Sequence, residues 1–510
     1  MHTRASTTTS PQESAAQRFP SAALLSLSRA SLRAILRPLA VLVFPIGQLV
    51  ALLWVIWTRT AQVPYWDEWN TVDLVRRWRS GALTLGDLWA TSDVHRVVVP
   101  RLVDLLLIQT TAWNRQVEMT VDLALAAVSG GLILWCAWRT LGPRLWPWLV
   151  PPLGLLLFTF AQFANWFAPF QIAFIATACG ASICLAGLGY ERSGDHGRLG
   201  LGIAFGGALL ASLSSLNGLV AWPAFLPAVW ATGRSRSDRW RRALLWAGGG
   251  ALVWVAYFVG FPRTQPLLTQ PGTPAIDVIR GLGRYALVYL GAPLGFPNVL
   301  PAAIWGLVSV CLTLVVLRLA WLARAEIPGL FAWIGLLLFV VGCLIATAAG
   351  RAASNGPSQA LFSRYQAFST LWWVALVVLG AAGMRAVWPR LRAWRRQHRW
   401  VSMAPIAVAA LLLLAGSISL GWANIVGWQD GLAWQDAQQR YQGWVAQAPI
   451  APLRCILVYH PLPGYLLPRI AYLKSHRLGL FADARNVSAT SLRAHLPDAS
   501  CLKPYSLFID

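Results

Sequence analysis

Apolar runs of membrane-spanning length alternate with short polar intervals from Leu39 to Trp422. About 20 mostly apolar residues cross about 30 Å of hydrocarbon. The pattern predicts about eleven such helices, at Leu39–Trp57, Val117–Trp138, Leu145–Phe163, Ile172–Tyr190, Leu199–Ser215, Leu219–Ala231, Ala243–Phe261, Ala302–Trp321, Leu330–Ala349, Ala367–Met384 and Ala404–Trp422. Two further stretches, Asp67–Ser80 and Val97–Trp113, carry charges on one helical face and read as amphipathic helices at a membrane surface. Ile276–Leu290 is nearly apolar enough to span, but Asp277, Arg280 and Arg284 would be costly at depth, so it reads as an interfacial helix. The fold class is an all-α polytopic membrane protein, with residues 1–37 a polar then basic cytoplasmic tail, 38–422 the transmembrane domain and 423–510 a small domain outside the membrane.

Composition agrees. Apolar residues make up 57% of the 510-residue chain, charged residues only 12%, and mean hydropathy is +0.54, which excludes an ordinary soluble domain. The formal charge of +23 would fit nucleic acid, but the arginines sit between spans instead of on one basic face. Arg29, Arg33 and Arg37 precede the first span, Arg234 to Arg242 follow the sixth, and Arg385 to Arg399 follow the tenth. With eleven spans and a cytoplasmic N-terminus, all three groups face the cytoplasm, as positive-inside topology requires. Many of the 29 Trp fall at span ends, the aromatic belt of an interface. The same topology sends the loop 58–116 and the tail 423–510 to the outer side. There Cys455 and Cys501, the only two cysteines of that tail, are expected to form a disulfide.

Acids change the picture. Of 19 Asp and Glu, eight lie between 67 and 122, beginning with Asp67-Glu68 just past the first span. An acidic pair there, followed by an amphipathic outer loop, resembles the signature of the GT-C superfamily of membrane glycosyltransferases. Asn165-Trp166-Phe167-Ala168-Pro169-Phe170-Gln171 and Ser363-Arg364-Tyr365 resemble elements of uncharacterised bacterial proteins of that type. The resemblance implies a multi-pass inner-membrane enzyme moving a sugar from a polyprenyl-phosphate donor to an acceptor on the outer side, with lipid-linked sugar and membrane lipids as partners and no nucleic acid.

Such a transfer needs a carboxylate to take the acceptor proton and cations to hold the departing phosphate. Asp67 or Glu68 is the expected base, and His95, Arg96, Arg351 and Arg364 are the expected phosphate contacts. Glu118 and Asp122, four apart on the second span, are further candidates, with Asn165, Gln171 and Tyr365. Each has a plainer reading: helix capping or ion pairing with Arg76 or Arg77 for the acidic pair, snorkelling for Arg351 and Arg364, a solvated loop for His95-Arg96, and pairing with Arg115 for Glu118 and Asp122. No ligand spacing supports a metal, and no cofactor is required. A transporter or flippase of lipid-linked glycans, and a glycan polymerase, remain as alternatives.

Overall fold

A computed structural model describes residues 29–191, 197–261, 274–397, 404–448, 453–457 and 462–483. The polar tail before residue 29, and Cys501, lie outside the described residues.

The chain is a bundle of helices with one two-stranded hairpin. Helix α1 (Arg29–Arg59) leads into a loop built from a 3-10 turn at Trp66–Asn70, α2 (Thr71–Arg79), α3 (Leu85–Trp89), the antiparallel strands β1 (Thr91–Ser92) and β2 (His95–Arg96), and α4 (Val98–Thr111). The bundle continues with α5 (Arg115–Leu157), α6 (Phe163–Phe167), α7 (Ile172–Glu191), α8 (Gly197–Ser212), α9 (Ala221–Thr232), α10 (Arg236–Phe258), α11 (Ala275–Gly295), α12 (Val299–Leu322), α13 (Leu330–Asn355), α14 (Ser363–Gln397) and α15 (Ala404–Ala446). Two short helices close it, α16 (Leu453–Ile456) and α17 (Pro463–Ser475).

Among the described residues, seven helical runs are long and apolar enough to cross a membrane, not eleven. One of them contains α5, which is broken at Gly142, whose φ of 73° no β-carbon would readily tolerate, so it holds two of the expected spans in one run. Helices α8 and α9 are short, at 16 and 12 residues, and α10 and α11 carry several charges near their starts.

Helix α11 departs from the expected interfacial position. Its first half is exposed, with Ile279 64% exposed, but from Tyr285 onward it is enclosed against α12, α13 and α14. Glycines permit that enclosure: a β-carbon on Gly291 would lie 1.9 Å from the carbonyl oxygen of Ala302, and one on Gly306 1.9 Å from that of Leu287. The backbones of α11 and α12 therefore touch, and no larger residue fits between them.

The boundary expected at residue 422 falls inside α15, which runs unbroken for 43 residues. Its far end shares one apolar core with the first loop. Val63, Trp69, Val75, Leu105 and Ile108 of the loop pack with Tyr441 and Val445 of α15 and Leu466 and Ile470 of α17. Loop and C-terminal segment thus stabilise each other at one end of the bundle.

Candidate functional site

That loop-bearing end gathers the acids. In the turn at Trp66–Asn70, Trp66 has a φ of 50°, a left-handed conformation that costs a bulky residue about 1–3 kcal/mol. It sends the two carboxylates that follow to different places. Glu68 is buried, accepting from the backbone N–H of Tyr65 at 2.7 Å and of Phe170 at 3.1 Å, and its Oε2 pairs with Arg115 Nη1. These three donors tie the loop to the start of α5 and to the turn that precedes α7. Asp67 is half-buried and faces a cavity of about 180 Å³, whose lining includes Asp73, Arg77, Arg101, Asp104 and Phe170.

Asp104, half-buried on α4, was not singled out in the sequence. Burial, then the charge of Glu68, pushes its carboxyl up to about 7, against the opposing pull of Arg101 and Arg115. Its position follows from helical spacing: Arg101 and Asp104 are three apart and both line the cavity, while Leu105 and Ile108 enter the apolar core. Arg101 donates to the carbonyls of Leu88 at 2.9 Å and Asp87 at 3.2 Å, holding α3 against α4. Helix α17 closes the far rim, where Arg469 pairs with Asp73 and the Tyr465 hydroxyl bonds Asn70 Oδ1.

Glu118 and Asp122 lie below this cavity on α5, 4% and 2% exposed, in the electrostatic field of Asp104, Glu68 and Arg115. Among the described residues Asp122 Oδ2 has no hydrogen-bond partner. Arg115, expected opposite these two, is paired with Glu68 instead.

The basic candidates divide. Arg96 is buried and donates from Nε to the carbonyl of Tyr257 at 2.6 Å, from Nη2 to that of Val259 at 2.7 Å and from Nη1 to that of Trp89. Backbone carbonyls thus take all three of its nitrogens, and the side chain staples the hairpin to the end of α10. Arg351 pairs with Asp93 at the surface. Arg364 is different: its guanidinium lies over the rings of Phe362 at 5.4 Å and Tyr365 at 5.5 Å, and among the described residues it makes no hydrogen bond or ion pair. His95 Nδ1 accepts from the Leu216 N–H at 3.1 Å, leaving Nε2 as the donor. Burial, with the Arg364 and Arg351 charges adding, holds its imidazole down to about 4 against the pull of Asp93, so it is neutral at physiological pH.

The two sequence patches meet. Asn165, fully buried on α6, donates to the carbonyl of Ser363 at 2.6 Å, and Ser363 Oγ accepts from the Ala164 N–H at 3.3 Å. Phe174, one residue beyond the cavity wall at Ile172 and Ala173, stands edge-on to His95 at 5.7 Å and to Tyr365 at 6.5 Å. The first turns of α7 therefore border both the carboxylate-lined cavity and the Arg364 group. Gln171, at the foot of that wall, has a buried Oε1 without a partner. Cys455 is disulfide-bonded, and its expected partner Cys501 lies outside the described residues. Among the described residues no group of three His, Cys, Asp or Glu is placed to hold a metal ion.

No protein family, curated protein or solved structure matches the chain.

Proposed function

We propose that the protein is a membrane glycosyltransferase that moves a sugar from a polyprenyl-phosphate donor to an acceptor hydroxyl on the outer face of the membrane. The observation that carries this reading is an open cavity holding Asp67 and a guanidinium at Arg364 that makes no hydrogen bond among the described residues, both bordered by the first turns of α7. Asp67 accepts the acceptor proton as the hydroxyl oxygen bonds the anomeric carbon. The bond from that carbon to the phosphate oxygen breaks, and Arg364 with the Nε2–H of His95 holds the departing phosphate. Glu68 serves by position: its three bonds fix the turn that aims Asp67.

The arginines at the opposite end of the bundle support this orientation. Arg385 donates to the carbonyls of Thr140 and Leu141 there, and Arg390 pairs with Glu326. Purified protein incubated with radiolabelled polyprenyl-phosphate sugars tests the reading; released polyprenyl phosphate is the expected result, and an intact donor with every sugar offered would refute it.

One observation favours transport instead. Asp122 is buried in a candidate span with an unpartnered oxygen, and such groups mark translocation pathways. Proteoliposomes loaded with a labelled lipid-linked glycan distinguish the two, since a flippase moves the glycan across the bilayer without breaking the sugar–phosphate bond.

A further inference from the structure

Facing the Arg364 group, helix α11 carries Tyr285 and Tyr289 one turn apart, both 0% exposed, and among the described residues neither hydroxyl has a hydrogen-bond partner. Tyr285 lies in the electrostatic field of Arg364 and Arg351, and the Tyr289 ring is 6.2 Å from that of Tyr365. Phenylalanine would fill the same space without burying an unsatisfied hydroxyl, so two such hydroxyls on one helical face call for a polar occupant. The backbone contact of α11 with α12 at Gly291 and Gly306 fixes the helix, and the tyrosines cannot turn away to find solvent. Two elements packed on α11 add acceptors: Gln359, in the 3-10 turn Pro357–Leu361, and Gln366 of α14 each bury an amide oxygen with no donor among the described residues.

A cation and two hydroxyl donors suit the oxygens of a phosphate, whereas unpaired amide oxygens suit hydroxyl groups. We propose that Tyr285 and Tyr289, with Arg364, hold the phosphate of a phosphate-linked sugar, and that Gln359 and Gln366 accept hydrogen bonds from the hydroxyls of the sugar attached to it. This rests on the glycosyltransferase reading for the source of the phosphate, and it adds a helix that the sequence assigned to the membrane surface.

The test compares full-length wild type with Tyr285→Phe, Tyr289→Phe and the double variant in lipid nanodiscs, measuring binding of decaprenyl phosphate, of inorganic phosphate and of phosphate-free decaprenol, alongside thermal stability. The expected result is binding of decaprenyl phosphate but not decaprenol, weakened on the order of tenfold per hydroxyl removed, with an unchanged or higher melting temperature because an unsatisfied group has gone. If the double variant fails to fold, the single variants carry the same comparison. Undiminished decaprenyl phosphate binding in the Phe variants would overturn the tyrosine assignment and leave the glycosyltransferase reading standing. Inorganic phosphate bound as tightly as the lipid, and weakened in the same variants, would keep the phosphate site and sink the lipid donor. A wild type that binds neither phosphate would overturn both.

Discussion

The loop end around Glu68 and the contact between α11 and α14 contain similar residue types and use them in opposite ways. At the loop end two buried charged side chains are well bonded: Glu68 accepts three hydrogen bonds, and Arg96 donates from all three of its nitrogens to backbone carbonyls. Between α11 and α14, among the described residues, Arg364 makes no hydrogen bond or ion pair and Tyr285 and Tyr289 end in unpartnered hydroxyls. A buried polar group that is fully bonded holds structure together, and one left unbonded is free to bind something else. By that criterion Glu68 and Arg96 are structural, while Arg364 is a group to test for chemistry; Asp67 is tested for its place on the cavity wall.

The largest effect is expected where saturation is broken. Arg115→Leu strands the buried Glu68 carboxylate, and loss of one partner from a buried ion pair costs about 3–5 kcal/mol. Thermal unfolding in detergent should show a large drop or no folded protein. Little change would mean that the pair carries no structural weight.

Next comes the contrast between arginines. Arg364→Lys keeps the charge and loses the planar fork, so donor binding should weaken on the order of tenfold while the melting temperature holds. Arg96→Lys should do the reverse, lowering the melting temperature because one ammonium cannot replace three bonds to carbonyls on two segments, the ends of α3 and α10. Exchange of the two phenotypes would invert the assignment.

A smaller, pH-dependent effect is expected at Asp104. Its carboxyl titrates near 7 in the folded protein against an ordinary 3.8. The folded state therefore keeps a proton that the unfolded chain releases, so its stabilisation is fullest below pH 3.8 and is lost as pH rises through about 7. Asp104→Asn cannot ionise. Relative to wild type it should gain melting temperature progressively between about pH 4 and 7 and level off above that, and a constant difference from pH 4 to 7 would place the titration elsewhere.

These partnerships mark how far the sequence could be read. Apolar runs located most helices, and the amphipathic stretch Val97–Trp113 is α4, because hydrophobic periodicity reports which faces are buried. It does not report which partner a buried charge finds. Glu68 and Arg115 are 47 residues apart, and Arg96 and Tyr257 are 161 apart, so neither link has a local signature. Helix α11 was misplaced for a related reason: Asp277, Arg280 and Arg284 mark its exposed first half, and only the glycine contacts with α12 show that its second half lies inside the bundle. Asp67 and Glu68 were adjacent and equivalent as sequence; the left-handed Trp66 separates them.

That separation is also the most direct point of test. Asp67→Asn and Glu68→Gln, compared for single-turnover rate on a labelled polyprenyl-phosphate sugar and for melting temperature, should part cleanly. Asp67→Asn is expected to lose about 10²- to 10⁴-fold in rate with an unchanged melting temperature, and Glu68→Gln to lose melting temperature while the protein that remains folded turns over at a near-native rate. A rate loss confined to Glu68→Gln, with Asp67→Asn fully active, would show that the saturated carboxylate does the chemistry and that saturation does not separate structural from catalytic groups in this protein.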